Sequence, residues 1–142
     1  MSWHDRLCVD PSRMELEIVK ELQKKKLSDK FQREYVIVFY SDKTCETIWR
    51  SRLTIDMVKR STCYCFPDFL HFGLNGIIYF GIDGSRHLTP HNSKRDNKQN
   101  RFMNALRIKY VRFPYKRYTV RKRNEIVKAM IMFMENPDLV GN

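Results

Sequence analysis

No apolar run in this chain is long enough to cross a bilayer, which excludes a helical membrane span. The opening residues, MSWHDRLCVD, lack the basic, apolar and small-residue order of a secretory signal, so an intracellular location is expected. Cysteine is scarce. Cys8, Cys45, Cys63 and Cys65 form no CxxC pair, so neither a disulfide framework nor a structural zinc site is expected. Cys63 and Cys65, with one residue between them, are expected on opposite faces of an extended segment. There is no internal repeat and no low-complexity linker. The largest deficit is of acidic residues: 16 Asp and Glu against 27 Lys and Arg leave +11 on 142 residues. Such an excess points to a polyanionic partner, nucleic acid before a membrane surface. The length suits one domain with one core.

What is present alternates helix and strand signals. Residues 12–27 read as a helix, with Ser12 and Glu15 as a capping box, Ile18, Val19 and Leu22 as the apolar stripe, and Lys24, Lys25 and Lys26 suiting the helix C-terminus. EYVIVFY, 34–40, is β-branched and aromatic and reads as a strand. Residues 41–64 are polar and basic, with a possible strand over 47–52 and a short helix over 54–60. Two strands follow, 66–72 and 77–82, joined by a tight turn through Gly73 and Gly76. A loop from Thr89 runs into a helix that ends near Leu106, IKYVRF (108–113) is a further strand, and a last helix carries Ile126, Val127, Met130 and Met134 on one side. A hairpin-rich sheet with helices on its faces buries these elements.

One stretch, PDFLHFGLNGIIYFGIDGSRH (67–87), places an aspartate at the start of one strand and a histidine just past the end of the next. If the two strands form a hairpin, Asp68 and the segment from Gly81 to His87 share one sheet edge. Asp68 can offer a carboxylate to a hard cation such as Mg2+, with Mn2+ able to substitute. His87, titrating near neutrality, suits the base that deprotonates a metal-bound water, and Asp96 suits the group that holds the imidazole in one tautomer. Each residue also has an ordinary reading: Glu15 as a helix cap, Asp68 and Asp83 as turn residues, Asp96 as a partner of a helix dipole, His87 as a loop residue, and the basic runs as solvated faces. Their common placement at one edge carries the functional reading.

SRMELEIVKEL, FQREYVIVF, FPDF, IIYFGIDGSRH, KRDNKQNRFMNAL and IKYVRF follow one another in an order that resembles the PD-(D/E)XK nuclease superfamily. The resemblance is to its very-short-patch-repair (Vsr-like) branch, which includes the EDxHD homing endonucleases. It covers about Ser12 to Met134 except 41–64. It implies an α/β, restriction-endonuclease-like three-layer core: a central mixed sheet of four to five strands flanked by helices. The chain would be a single endonuclease-like domain, 1–142, with an inserted basic segment at about 41–64. By the same resemblance Glu15 is the N-terminal helix glutamate that faces the metal, and Asp68 is the metal-binding aspartate. The Gly81 backbone carbonyl is a second metal ligand, His87 is the base, and Asp96 of the Arg95-Asp96 pair supports it. The acidic residue and lysine of the wider superfamily would fall at Gly81 and Asp83, and this chain has neither. Asp83 is either a second metal ligand or a turn residue. The branch's structural zinc spacing and its mismatch-wedging aromatic region do not appear.

The expected function is a Mg2+-dependent endonuclease acting on double-stranded DNA, of the homing, phage or mobile-element type, working as a monomer or homodimer in a host cell's cytoplasm or nucleoid or encoded by a phage. A catalytically inactive DNA-binding protein on the same scaffold, a mismatch-nicking enzyme and an RNA-binding or ribonuclease module are the alternatives. Arg50, Arg52, Lys59, Arg60, Lys116, Arg117, Arg121, Lys122 and Arg123 are expected to bind DNA, with sequence recognition in the 41–64 segment.

Overall fold

The computed structural model describes residues 12–84 and 90–141, the side chains of 90–96 excepted. Helix α1 spans Arg13–Lys24 and is capped by Ser12, whose Oγ accepts from the Glu15 N–H at 3.2 Å. The reciprocal half of the capping box is not made, because the Glu15 carboxylate pairs with Arg33 instead. The helix stops short of residue 27: Lys26 takes a left-handed φ of 58°, and the Leu27 N–H closes back on the Leu22 carbonyl at 2.9 Å.

Strand β1 (Tyr35–Phe39) pairs antiparallel with β2 (Cys45–Trp49) on one side and with the short β3 (Cys63–Cys65) on the other. Between β2 and β3 lies helix α2 (Ile55–Arg60), capped by the Thr54 hydroxyl, which accepts from the Met57 N–H at 3.2 Å. Strand β4 (Phe69–Gly73) forms a hairpin with β5 (Gly76–Asp83), and Gly76 supplies the positive φ of 132° at the turn. Helix α3 (Pro90–Ala105) then carries the chain back, so that β6 (Lys109–Pro114) joins β5 in parallel. Helix α4 (Val120–Glu135) completes the order.

The described residues form an α/β fold with two three-stranded sheets, β2-β1-β3 and β4-β5-β6, in place of the single sheet of four to five strands expected. The backbone gives the reason. Gln32 makes an isolated antiparallel bridge to Leu70, as a strand next to β4 would. Two residues later Glu34 takes a φ of 62°, and the chain turns away to pair with β2 and β3. Strand β3 and the strand starting at Phe69, three residues later than expected, follow from this second sheet.

Strand alternation sorts the core into layers. Phe69, Ile78, Phe80 and Ile82 face α1 and α4, where they meet Met14, Ile18, Leu22, Ile126, Val127 and Met130. Leu70 and Tyr79, on the opposite face, meet Ile37, Phe39 and Cys65 of the second sheet and Met103 of α3. The outer face of the second sheet, Val36 and Val38, is closed by Leu53 and by Met57 and Val58 of α2. Cys63 and Cys65 both pack into the middle layer. Residues two apart on a strand share a face, so the expectation that these two diverge is overturned by strand geometry itself.

Candidate active site

The site starts from the register of the β4–β5 hairpin. Phe69 lies opposite Phe80, and the Asp68 N–H donates to the Phe80 carbonyl at 3.1 Å. Asp68 thus stands at the rim where β5 ends. Its Oδ2 accepts from the Ile82 N–H at 2.6 Å. The expected meeting of Asp68 with the Gly81–Asp83 end of the next strand is present in the described residues. By alternation Asp68, Tyr79, Gly81 and Asp83 share the face toward α3 and the second sheet, and Arg112 of β6, opposite Gly81, joins them. Glu15, in the first turn of α1 on the other layer, is near enough for its charge to act on Asp68.

The charges of Glu15 and Asp83 both act on Asp68. Burial, then the negative charge of Glu15, push the Asp68 carboxyl up to about 7, and Asp83 adds to the rise. The Ile82 N–H and the more distant Arg50 oppose it without cancelling it. Arginines are interleaved with the acids. Arg33 pairs with Glu15 at 3.1 Å and lies over the Phe69 ring. Arg112 lies 3.8 Å from Asp83, donates to the Tyr79 hydroxyl at 3.5 Å and sits over the Tyr79 ring. Burial raises the Tyr79 phenol well above its ordinary range, so it stays protonated. Gly81 makes this packing possible: a Cβ there would meet the Tyr79 ring at 3.2 Å and both Arg112 Nη1 and Asp83 Oδ1 at 3.4 Å.

Backbone direction at Gly81 bears on its expected ligand role. Along a strand, successive residues aim their N–H and C=O at opposite neighbours. Asp83 O accepts from the Tyr115 N–H at 2.9 Å, on the β6 side, so Gly81 also faces β6. Ile82, whose N–H is on Asp68, faces the Asp68 side. The carbonyl that accompanies Asp68 at this level is that of Ile82. His87 lies outside the described residues, as does the side chain of Asp96, whose backbone is in α3. No group of three or more His, Cys, Asp or Glu among the described residues is arranged to hold a metal ion.

The nine basic residues expected on DNA separate into distinct places. Lys116 and Arg117 are exposed and follow Tyr115, whose N–H is bonded to Asp83, so they extend the rim. Arg50 approaches it from the second sheet, with its guanidinium 5.0 Å over the Phe66 ring. Exposed Arg52, Lys59 and Arg60 lie before and within α2, on the far layer. Arg121 and Lys122 pair with Glu125 on α4. Arg123 is held inside the protein: it reaches Glu21 at 3.6 Å and Glu17 at 3.9 Å and donates to the Tyr118 hydroxyl at 3.3 Å. It joins α4 to α1 and is not free to bind phosphate. Arg33, Arg112 and Tyr79 were missed by sequence reasoning. Only the strand register, which places Arg112 against Gly81, brings them into view.

Comparison with known protein families, with curated proteins and with solved structures finds no match. Among the described residues no helix is long and apolar enough to cross a membrane.

Proposed function

We propose that this chain is a metal-dependent DNA endonuclease whose β4-β5-β6 sheet and α3 correspond to a restriction-endonuclease-like core of the Vsr-like type. The observation that carries the reading is Asp68, bonded to the Ile82 N–H at the end of β5 and raised to about 7 by burial and by the charges of Glu15 and Asp83. The charges of Glu15 and Asp83 disfavour an ionised Asp68, and a divalent cation at Asp68 would relieve that repulsion. The donor set fits a hard cation: the Asp68 carboxylate and the Ile82 carbonyl would hold Mg2+, with Asp83 beside them. When bound, the ion supplies Lewis-acid stabilisation of the phosphate and a more acidic water. The remaining roles fall to the chain. His87 takes the proton of the attacking water and Asp96 orients the imidazole. Arg50, Lys116 and Arg117 grip the phosphates on either side of the scissile bond, and Glu15 keeps Arg33 at the rim. A small nuclease core of this kind fits homing by a phage or mobile element.

One observation favours a second reading, a DNA-binding protein without activity: Asp83, ion-paired with Arg112, stands where the superfamily pattern has its lysine. Plasmid nicking in Mg2+ or Mn2+ decides between them. The wild type should nick, and Asp68→Ala and His87→Ala should lose at least a hundredfold in rate. Equal nicking by all three proteins would overturn the assigned site. DNA binding by the wild type with no nicking in either metal selects the inactive scaffold.

A further inference from the structure

The second sheet carries a feature that the proposed chemistry leaves unused. Trp49 at the end of β2 lies tilted by 35° against Tyr35 of β1, with ring centres 4.5 Å apart, and Tyr35 meets Phe72 of β4 edge-on at 5.5 Å. Trp49 and Phe72 are each 43% exposed, and Leu74, next in the hairpin turn, is fully exposed. Three rings from three strands thus form a row open to solvent. The row reaches roughly 13 Å along β4 from the Asp68 rim.

We propose that the Trp49–Tyr35–Phe72 row is a stacking platform for the unpaired bases of a single-stranded nucleic acid. Two properties of the chain favour this occupant. The exposed area of the row with Leu74 is on the order of 400 Å2, about half of what each partner contributes to a stable protein interface. The net charge of +11 makes a second copy of this chain a repelling partner and a polyanion an attracting one. Nucleobases combine flat apolar faces with a polyanionic backbone, and each base stacked on an aromatic side chain stabilises binding by roughly 1–3 kcal/mol. The inference rests on the nucleic-acid part of the reading above and is independent of cleavage.

The test uses the full chain with Trp3→Phe, which leaves Trp49 as the one tryptophan. Its fluorescence is titrated in EDTA with oligothymidylate, with an abasic strand of equal length and with a blunt duplex. Oligothymidylate should quench Trp49 strongly and the abasic strand should not. In binding followed by anisotropy of a labelled strand, Trp49→Leu, which keeps apolar contact with Tyr35 but removes the π face, should lose roughly tenfold in single-strand affinity and under twofold for the duplex. Asp68→Ala should bind the single strand as the wild type does. That arm separates the platform from the cleavage reading: loss of nicking with quenching intact touches only the latter. Equal quenching by the abasic strand, or equal weakening for single strand and duplex, overturns the proposal. So does a concentration-dependent dimer in sedimentation that Trp49→Leu abolishes, since it assigns the row to a second copy.

Discussion

The seam between α1 and α4 and the rim at Asp68 use the same residue types to opposite effect. At the seam Arg123 lies between Glu17 and Glu21, and Lys24 holds Glu21 from its own helix. The hydrogen bond from Lys24, aided by the charges of Lys24 and Arg123, draws the Glu21 carboxyl below its ordinary value. At the rim burial and the neighbouring acids raise Asp68 instead. Charges arranged for stability alternate in sign. At the rim Arg33 and Arg112 pair with Glu15 and Asp83, and it is the half-buried Asp68 that bears the unfavourable charge.

The largest expected difference comes from removing the charge at the rim. The Asp68 carboxyl rises from near 4 to about 7 on folding, so between those values the folded state binds more protons than the unfolded state. The contribution of Asp68 to stability therefore falls as pH rises through this window. Asp68→Asn, which can still accept from the Ile82 N–H, should stabilise the protein above pH 7 by roughly 1–3 kcal/mol after discounting for solvent screening, and by almost nothing below pH 4. Thermal melts at both ends of the range measure it, and an equal gain at pH 3.5 and 8 would sink the account. The same melts carry a metal test. Mg2+ or Mn2+ at about a hundred times its Kd should stabilise the wild type by about 2.7 kcal/mol and leave Asp68→Asn unmoved.

Next in size is Gly81→Ala. Its Cβ would press on the Tyr79 ring and on the Arg112–Asp83 pair, at a cost of about 1–3 kcal/mol in urea unfolding. A neutral result would show that Arg112 moves freely. At the seam, Arg123→Met should cost about 1 kcal/mol at low salt and less at 1 M NaCl, with DNA affinity unchanged within twofold. A large loss of DNA binding would return Arg123 to the phosphate-contacting set. The smallest effect belongs to Arg121→Ala, exposed and paired only with Glu125: within 0.5 kcal/mol on stability. By contrast, Lys116→Ala with Arg117→Ala should reduce the salt slope of DNA binding by about 2 with little change in stability.

Much of the local structure was legible because its signals are local. Ser12 and Thr54 cap the helices they precede, YVIVF and GIIYFGID are strands, and the turn falls between Gly73 and Gly76. The pairing of Asp68 with the end of β5 followed from the two-residue turn, which leaves one hairpin register. Less was legible where a single residue redirects the chain. Glu34 carries no glycine signal, yet its positive φ separates β1 from β4 and makes two sheets of one. The direction of the Gly81 carbonyl escaped the pattern as well, since it depends on which neighbouring strand lies on which side. Arg123 read as one more cation in a basic run, because its two carboxylate partners are about a hundred residues away in the chain.

The amino-acid sequence by itself determined the element types, the caps, the excess of positive charge and the hairpin that places Asp68 beside Gly81, Ile82 and Asp83. These depend on backbone preference and on spacings of a few residues. The tertiary structure alone decided that Glu15 and Asp83 crowd Asp68, that Arg112 fills the space above Gly81, and that Trp49, Tyr35 and Phe72 form one row. Those groupings join residues from different layers and strands, and only close packing of the layers sets the distances and the low dielectric through which they act.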